Sequence, residues 1–206
     1  MSVIVFGEEF PVGKESRFLR TISQMGSYPI PEYENCLEIQ KKGITDFGEI
    51  EGLQELTDLQ ALILNDNQIT EIKNLESLTS LRILILYRNR VTEIKDLDSL
   101  TELKFLDLGG NQITEIKGLD SLVNLQFLSL GGNQITEMKG LENLGNLSKL
   151  SLSLNPISDW ADNKFGIINY ESHGQKFPWG FLKDAQAAVS YCRTNLGLES
   201  ELVMRE

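Results

Sequence analysis

From Leu59 to Ile157 the apolar residues recur in a pattern that repeats every 22 positions. Five registers align: LQALILNDNQI from Leu59, LRILILYRNRV from Leu81, LKFLDLGGNQI from Leu103, LQFLSLGGNQI from Leu125 and LSKLSLSLNPI from Leu147. Within each, the alternation at Leu62/Leu64, Leu84/Leu86, Leu106/Leu108, Leu128/Leu130 and Leu150/Leu152 is the period-two signal of a short strand with one buried face. After each strand the period changes to three, as in Ile69, Ile72, Leu75, Leu78 and Leu81. That spacing suits tight 3₁₀ turns or an irregular return better than an α-helix. Strands that all run one way, each followed by a return, stack as a parallel sheet at about 4.8 Å per coil, with the leucines forming an internal column. The predicted architecture is therefore a curved α/β solenoid.

The polar positions of the repeat are as regular as the apolar ones. Asn67, Asn89, Asn111, Asn133 and Asn155 stand at the turn leaving each strand, where an amide can satisfy backbone groups of its own coil and the next. Their role is structural. Glu71, Glu93, Glu115 and Glu137 run beside Lys73, Lys95, Lys117 and Lys139, which predicts a solvated convex face with offset rows of charge. An earlier coil is expected at Leu37, Ile39, Ile44, Phe47, Ile50 and Leu53, with Lys42 in place of the asparagine.

The motif L-x-x-L-x-L-x-x-N-x-I-x-x-I-x-x-L resembles the leucine-rich repeat family, and within it the 22-residue subclass of a protein phosphatase 1 regulatory subunit and the internalins. The resemblance covers about 120 residues. It implies a solenoid with a parallel concave β-sheet and short 3₁₀ or irregular convex segments, binding other proteins on the concave face. It implies no common reaction.

Three regions are expected: an N-terminal cap over 1–36, about six coils over 37–158, and a C-terminal cap over 159–206. Ser2 to Phe6 and Glu9 to Val12, separated by Gly7 and Glu8, read as a β-hairpin, and Pro29 and Pro31 mark the approach to the first coil. Ala185, Ala188, Val189, Cys192 and Leu196 predict a capping helix over about 183–196, with Asp184 as N-cap and Gly197 as stop. Trp160, Phe165, Trp179 and Phe181 supply bulk between the last coil and that helix.

Composition narrows the function. The net charge of −11 is spread along the chain, with no basic patch to suit nucleic acid. No apolar run is long enough for a membrane helix, and Ser2 to Phe6 is too short for a signal core, so the chain reads as soluble and cytoplasmic. Cys36 and Cys192 flank the repeats. Five strand steps separate Cys36 from the last coil by about 24 Å, so both thiols are expected to be free.

Little in the chain suggests catalysis. His173 is the only histidine and has no ligand-spaced neighbours, and no G-x-S-x-G, P-loop or H-E-x-x-H string occurs. No cofactor or metal is expected. Gly109-Gly110 and Gly131-Gly132 lack the following residues of a phosphate loop and are read as leaving room for a partner or bound segment on the concave floor.

Strand positions between the leucines point to the concave side, where apolar residues have no packing reason to occur. Ile63, Ile83, Ile85, Phe105 and Phe127 therefore form a candidate exposed docking patch, rimmed by Tyr87, Arg88, Arg90 and Asp107. The expected function is a non-catalytic, monomeric protein-interaction module, acting as an intracellular scaffold or as a regulatory subunit of a phosphatase or small GTPase. Replacing Tyr87 and Phe105 by Ala should then remove partner binding with little change in Tm. The alternative is an internalin-like surface adhesin. An enzyme working through the non-repeat ends, with Cys36, Cys192 or His173, is the least supported.

Overall fold

A computed structural model describes residues 1–24, 30–172 and 175–195 of the chain. In chain order the elements are β1 (Ser2–Val5), β2 (Glu8–Pro11), α1 (Arg17–Gln24), β3 (Cys36–Glu38), β4 (Ile50–Glu51), β5 (Ala61–Ile63), β6 (Ile83–Ile85), β7 (Phe105–Asp107), β8 (Phe127–Ser129), β9 (Lys149–Ser151), α2 (Ser158–Phe165), β10 (Ile167–Ser172), β11 (Gln175–Leu182) and α3 (Ala185–Asn195). The short strands β3, β5, β6, β7, β8 and β9 form one six-stranded sheet in sequence order. All five pairings are parallel and keep the repeat in register, with Leu37, Leu62, Leu84, Leu106, Leu128 and Leu150 in a single row. Those leucines are fully buried, and so is the return segment's period-three series through Ile69, Ile72, Leu75 and Leu78. This is the predicted leucine-rich solenoid.

The returns contain separate i→i+3 turns rather than continuous helix. Leu78 N donates to Leu75 O at 3.0 Å and Leu81 N to Leu78 O at 3.0 Å, and the pattern recurs at Leu100/Leu97, Leu122/Leu119 and Leu144/Leu141. Only Phe47–Glu49 and Leu53–Glu55 extend into 3₁₀ helices. Each turn brings an apolar side chain inward after three residues, which is why the period is three.

An asparagine ladder locks the coils together. Asn89 Nδ2 donates to Leu86 O of its own coil and to Leu64 O of the preceding coil, both at 3.0 Å, while its Oδ1 accepts from Ile69 N at 3.0 Å. Asn67, Asn111, Asn133 and Asn155 repeat the arrangement. Every one of these side chains satisfies groups of the coil before it. The first coil has none before it, so Lys42 can occupy the equivalent position, and Asn67 Oδ1 accepts from Lys42 N at 3.0 Å.

The ends depart from the regular coil. β1 pairs antiparallel with β2, as the sequence predicts, and on its other edge with β4, which ties the hairpin to the first coil. At the far end Asp184 Oδ1 accepts from Ala187 N at 2.8 Å, capping α3 as expected. α3 buries Ala185, Ala188, Val189 and Cys192 against the core. The pattern of apolar positions did not reveal α1, α2 or the β10–β11 hairpin. Pro29, His173, Leu196 and Gly197 lie outside the described residues, and the side chain of Trp179 is not described.

Candidate functional site

Strand register sets the concave face in rows. Cys36, Ala61, Ile83, Phe105, Phe127 and Lys149 are consecutive partners in one, and Glu38, Ile63, Ile85, Asp107, Ser129 and Ser151 in the next. The ladder continues past the strand ends, with Asp66 N donating to Tyr87 O at 2.9 Å and Arg88 N to Gly109 O at 2.9 Å. A third row therefore runs Asn65, Tyr87, Gly109, Gly131 and Ser153.

The structure corrects the expectation that the apolar concave residues are exposed. Ile63, Ile83, Ile85, Phe105 and Phe127 each have 0% of their surface accessible. They form a second core, separate from the leucine column, together with Cys36, Ala61, Leu19 of α1 and Phe181 of β11. Phe181 meets Phe127 edge-on, with centroids 5.3 Å apart. Phe18, Ile30, Tyr33 and Tyr87 pack half-buried at its margin. A buried Ile or Phe side chain gains roughly 1.5–3 kcal/mol from leaving water, so this chain folds its own two ends over the floor.

α1 is held at its start by a polar latch. Ser16 Oγ accepts from Leu19 N at 3.0 Å, capping the helix, and donates to Glu38 Oε2 at 2.6 Å. Glu38 also accepts from Phe18 N at 3.4 Å, and the Tyr33 hydroxyl accepts from Ser16 N at 3.2 Å. Sequence reasoning missed these residues. The signal was Ser16 preceding Phe18, Leu19 and Ile22 at helical spacing.

The rim residues remain at or near the surface. Arg88 is exposed, its guanidinium 5.2 Å from the Tyr87 ring centroid and 3.8 Å from Asp66 Oδ1. Arg90 is exposed as well. Asp107, however, is buried. Its Oδ1 accepts from Gly109 N at 2.9 Å, and burial pushes its pKa up to about 6, against the lowering effects of that bond and of the Ser129 hydroxyl. Nearby, Asn65 donates to Gln40 Oε1 at 2.9 Å while its own Oδ1 is buried without a hydrogen-bond partner.

The glycine pairs do not leave the floor open as expected. A Cβ at Gly109 would lie 3.1 Å from Tyr87 Cδ2 and 3.3 Å from Gly131 O. Gly110 and Gly132 have φ of 65° and 68°, the same left-handed turn that Asp66, Arg88 and Leu154 adopt in the other coils. They serve the turn.

Neither thiol is poised to react. Burial raises the pKa of Cys36 to about 12 and that of Cys192 to about 11. Both cysteines are free. Among the described residues no three of His, Cys, Asp and Glu gather as a metal site, and no helix is long and apolar enough to cross a membrane.

The family model for leucine rich repeats, built on two copies, matches in overlapping stretches at 57–99, 79–121, 101–143 and 123–164. The chain belongs to the leucine-rich repeat family. Its repeats are similar to those of an internalin (inlF) from Listeria monocytogenes, with 35% identity, a TM-score of 0.50, and coverage of 54% of this chain and 33% of that one. The chain thus spans about a third of that internalin's length. Internalin C2 (inlC2) of the same organism aligns at 32% identity and TM-score 0.45, over 62% of this chain and 67% of that one. No curated protein matches the chain.

Proposed function

We propose that this leucine-rich repeat protein is a non-catalytic protein-interaction module, serving within the cell as a scaffold or as a regulatory subunit of the phosphatase or GTPase type. The observation that carries the reading is the part of the concave rim that α1 and β11 leave accessible. Arg88 stands exposed on the Tyr87 ring, with a long contact to Asp66. Tyr and Arg placed together in this way are the residue types that concentrate binding energy at interfaces. The buried floor residues support the rim from beneath.

The test is to cross-link partners in the source cell, purify the candidate identified, and titrate it against wild type and an Arg88→Ala variant. A loss of at least tenfold in affinity at unchanged Tm supports the site, and equal affinity refutes it. The internalin-like adhesin reading draws on the repeat identity to inlF. Fractionation that recovers the protein at the cell surface would favour it over the intracellular module.

A further inference from the structure

The N-terminal part of the concave floor already holds an amphipathic helix, and it is the chain's own. α1 spans eight residues, too few to be stable alone. Between Arg17 and Arg20 its only fully buried side chain is Leu19, with Phe18 half-buried beside it and both arginines exposed. An open cleft of about 400 Å³ lies beside α1, lined by Ser16, Leu19 and Arg20 and by Ile30, Pro31 and Tyr33. The helix start is held by the Ser16–Glu38 hydrogen bond at 2.6 Å, with Phe18 N also donating to Glu38 and Ser16 N to the Tyr33 hydroxyl. Short surface segments open locally at lower cost than the coils they cover.

We infer that α1 is a displaceable occupant of a helix-docking groove, and that the partner chemistry this groove fits is an amphipathic helix presenting adjacent bulky apolar side chains, as Phe18-Leu19 does. Glu38 then receives the backbone N–H groups at the start of the incoming helix, as it now receives Phe18 N. The inference does not depend on a partner binding at Tyr87 and Arg88.

Cys36 is a built-in reporter of opening. It lies in the same buried cluster as Leu19, 3% exposed, and its backbone pairs with Gly13 just ahead of the helix. Cys192 is buried on the inner face of α3 at the other end and serves as the internal control. The full-length wild type, Ser16→Ala and Leu19→Asp proteins are pulsed with maleimide under native conditions, and each cysteine is quantified by mass spectrometry.

The expected result is Cys36 labelling at least tenfold faster in Ser16→Ala and faster still in Leu19→Asp, with Cys192 unchanged. A synthetic peptide of residues 14–24, added in excess to either variant, should slow Cys36 labelling at least fivefold. The same peptide carrying Phe18→Ala and Leu19→Ala should not. Cys36 labelling that stays at the wild-type rate, or that rises together with Cys192, makes α1 a fixed part of the core and overturns the inference. So does a peptide that fails to protect. Should Leu19→Asp not fold, Ser16→Ala with the two peptides decides the question by itself.

Discussion

The rings of Phe105 and Phe127 lie one coil apart with centroids 4.0 Å from each other and planes 1° apart, a parallel stack inside the concave core. Both are fully buried, and Phe181 closes the stack from the C-terminal hairpin. Phe105→Ala should therefore lower stability by about 3–5 kcal/mol, the usual cost of emptying a buried phenylalanine site. Urea denaturation followed by circular dichroism measures it. A loss below about 1 kcal/mol would mean that the floor is wet. Phe105 thus cannot serve in a binding test at constant Tm, whereas the exposed Arg88 can.

Asn111 carries four hydrogen bonds at once. Its amide donates to Leu86 O, Leu108 O and Gly109 O at 3.0, 2.9 and 3.3 Å, and its Oδ1 accepts from Val91 N at 3.0 Å. Asn111→Ala leaves buried backbone groups of two coils unpaired, at about 1–3 kcal/mol each where nothing replaces the bond. The expected loss in urea denaturation is about 3 kcal/mol. Because the groups lie on adjacent coils, hydrogen exchange at Val91 should rise as well.

Left-handed positions in the coils give two substitutions of opposite sign. Gly140 has φ of 76°, and a Cβ there would lie 2.0 Å from Ile116 O, so Gly140→Ala should destabilise by at least about 2 kcal/mol. Leu154 holds φ of 57° with its side chain 58% exposed. Leu154→Gly relieves that strain, loses little packing, and should raise stability by up to about 1 kcal/mol. Paired thermal melts of the two variants test the signs directly.

Asp107 makes stability depend on pH in a direction opposite to most carboxylates. Burial lifts its pKa to about 6 from an ordinary 3.8, so between those values the folded chain holds a proton that the unfolded chain has released. Its contribution is fully present below about pH 4 and is lost as pH rises through 6. Asp107→Asn should raise stability at pH 7 by about 3 kcal/mol and have little effect at pH 4. Asp46 and Glu93 are pulled the other way by Lys73 and Lys117. Those pairs are exposed and common to both proteins, so the difference between wild type and variant isolates Asp107. A difference that does not change with pH would assign Asp107 no role in it.

Much of the repeat was legible because its physics is local and recurs. Leu62, Leu84, Leu106, Leu128 and Leu150 must share a face once a period of two is granted, and Asn89 or Asn111 must bridge coils once the strands stack in register. The candidate site was legible only in part. Tyr87 and Arg88 fall where the pattern puts them, whereas Ile63, Ile83, Ile85, Phe105 and Phe127 point to the predicted side yet are buried. Strand alternation tells which way a side chain faces and nothing about what lies opposite. The cover comes from Leu19 and Phe181, which lie far from those strands in the chain and belong to no repeat.

By itself, then, the sequence determined the coil, its register, its asparagine ladder and its charged convex rows, since each of these repeats a short-range spacing from coil to coil. Only the tertiary structure decided that the hollow is filled, that Asp107 is buried and that Ser16 latches a helix to Glu38. These are contacts between segments of unrelated pattern. They form because an apolar floor in water is unfavourable and the chain's two ends are within reach to cover it.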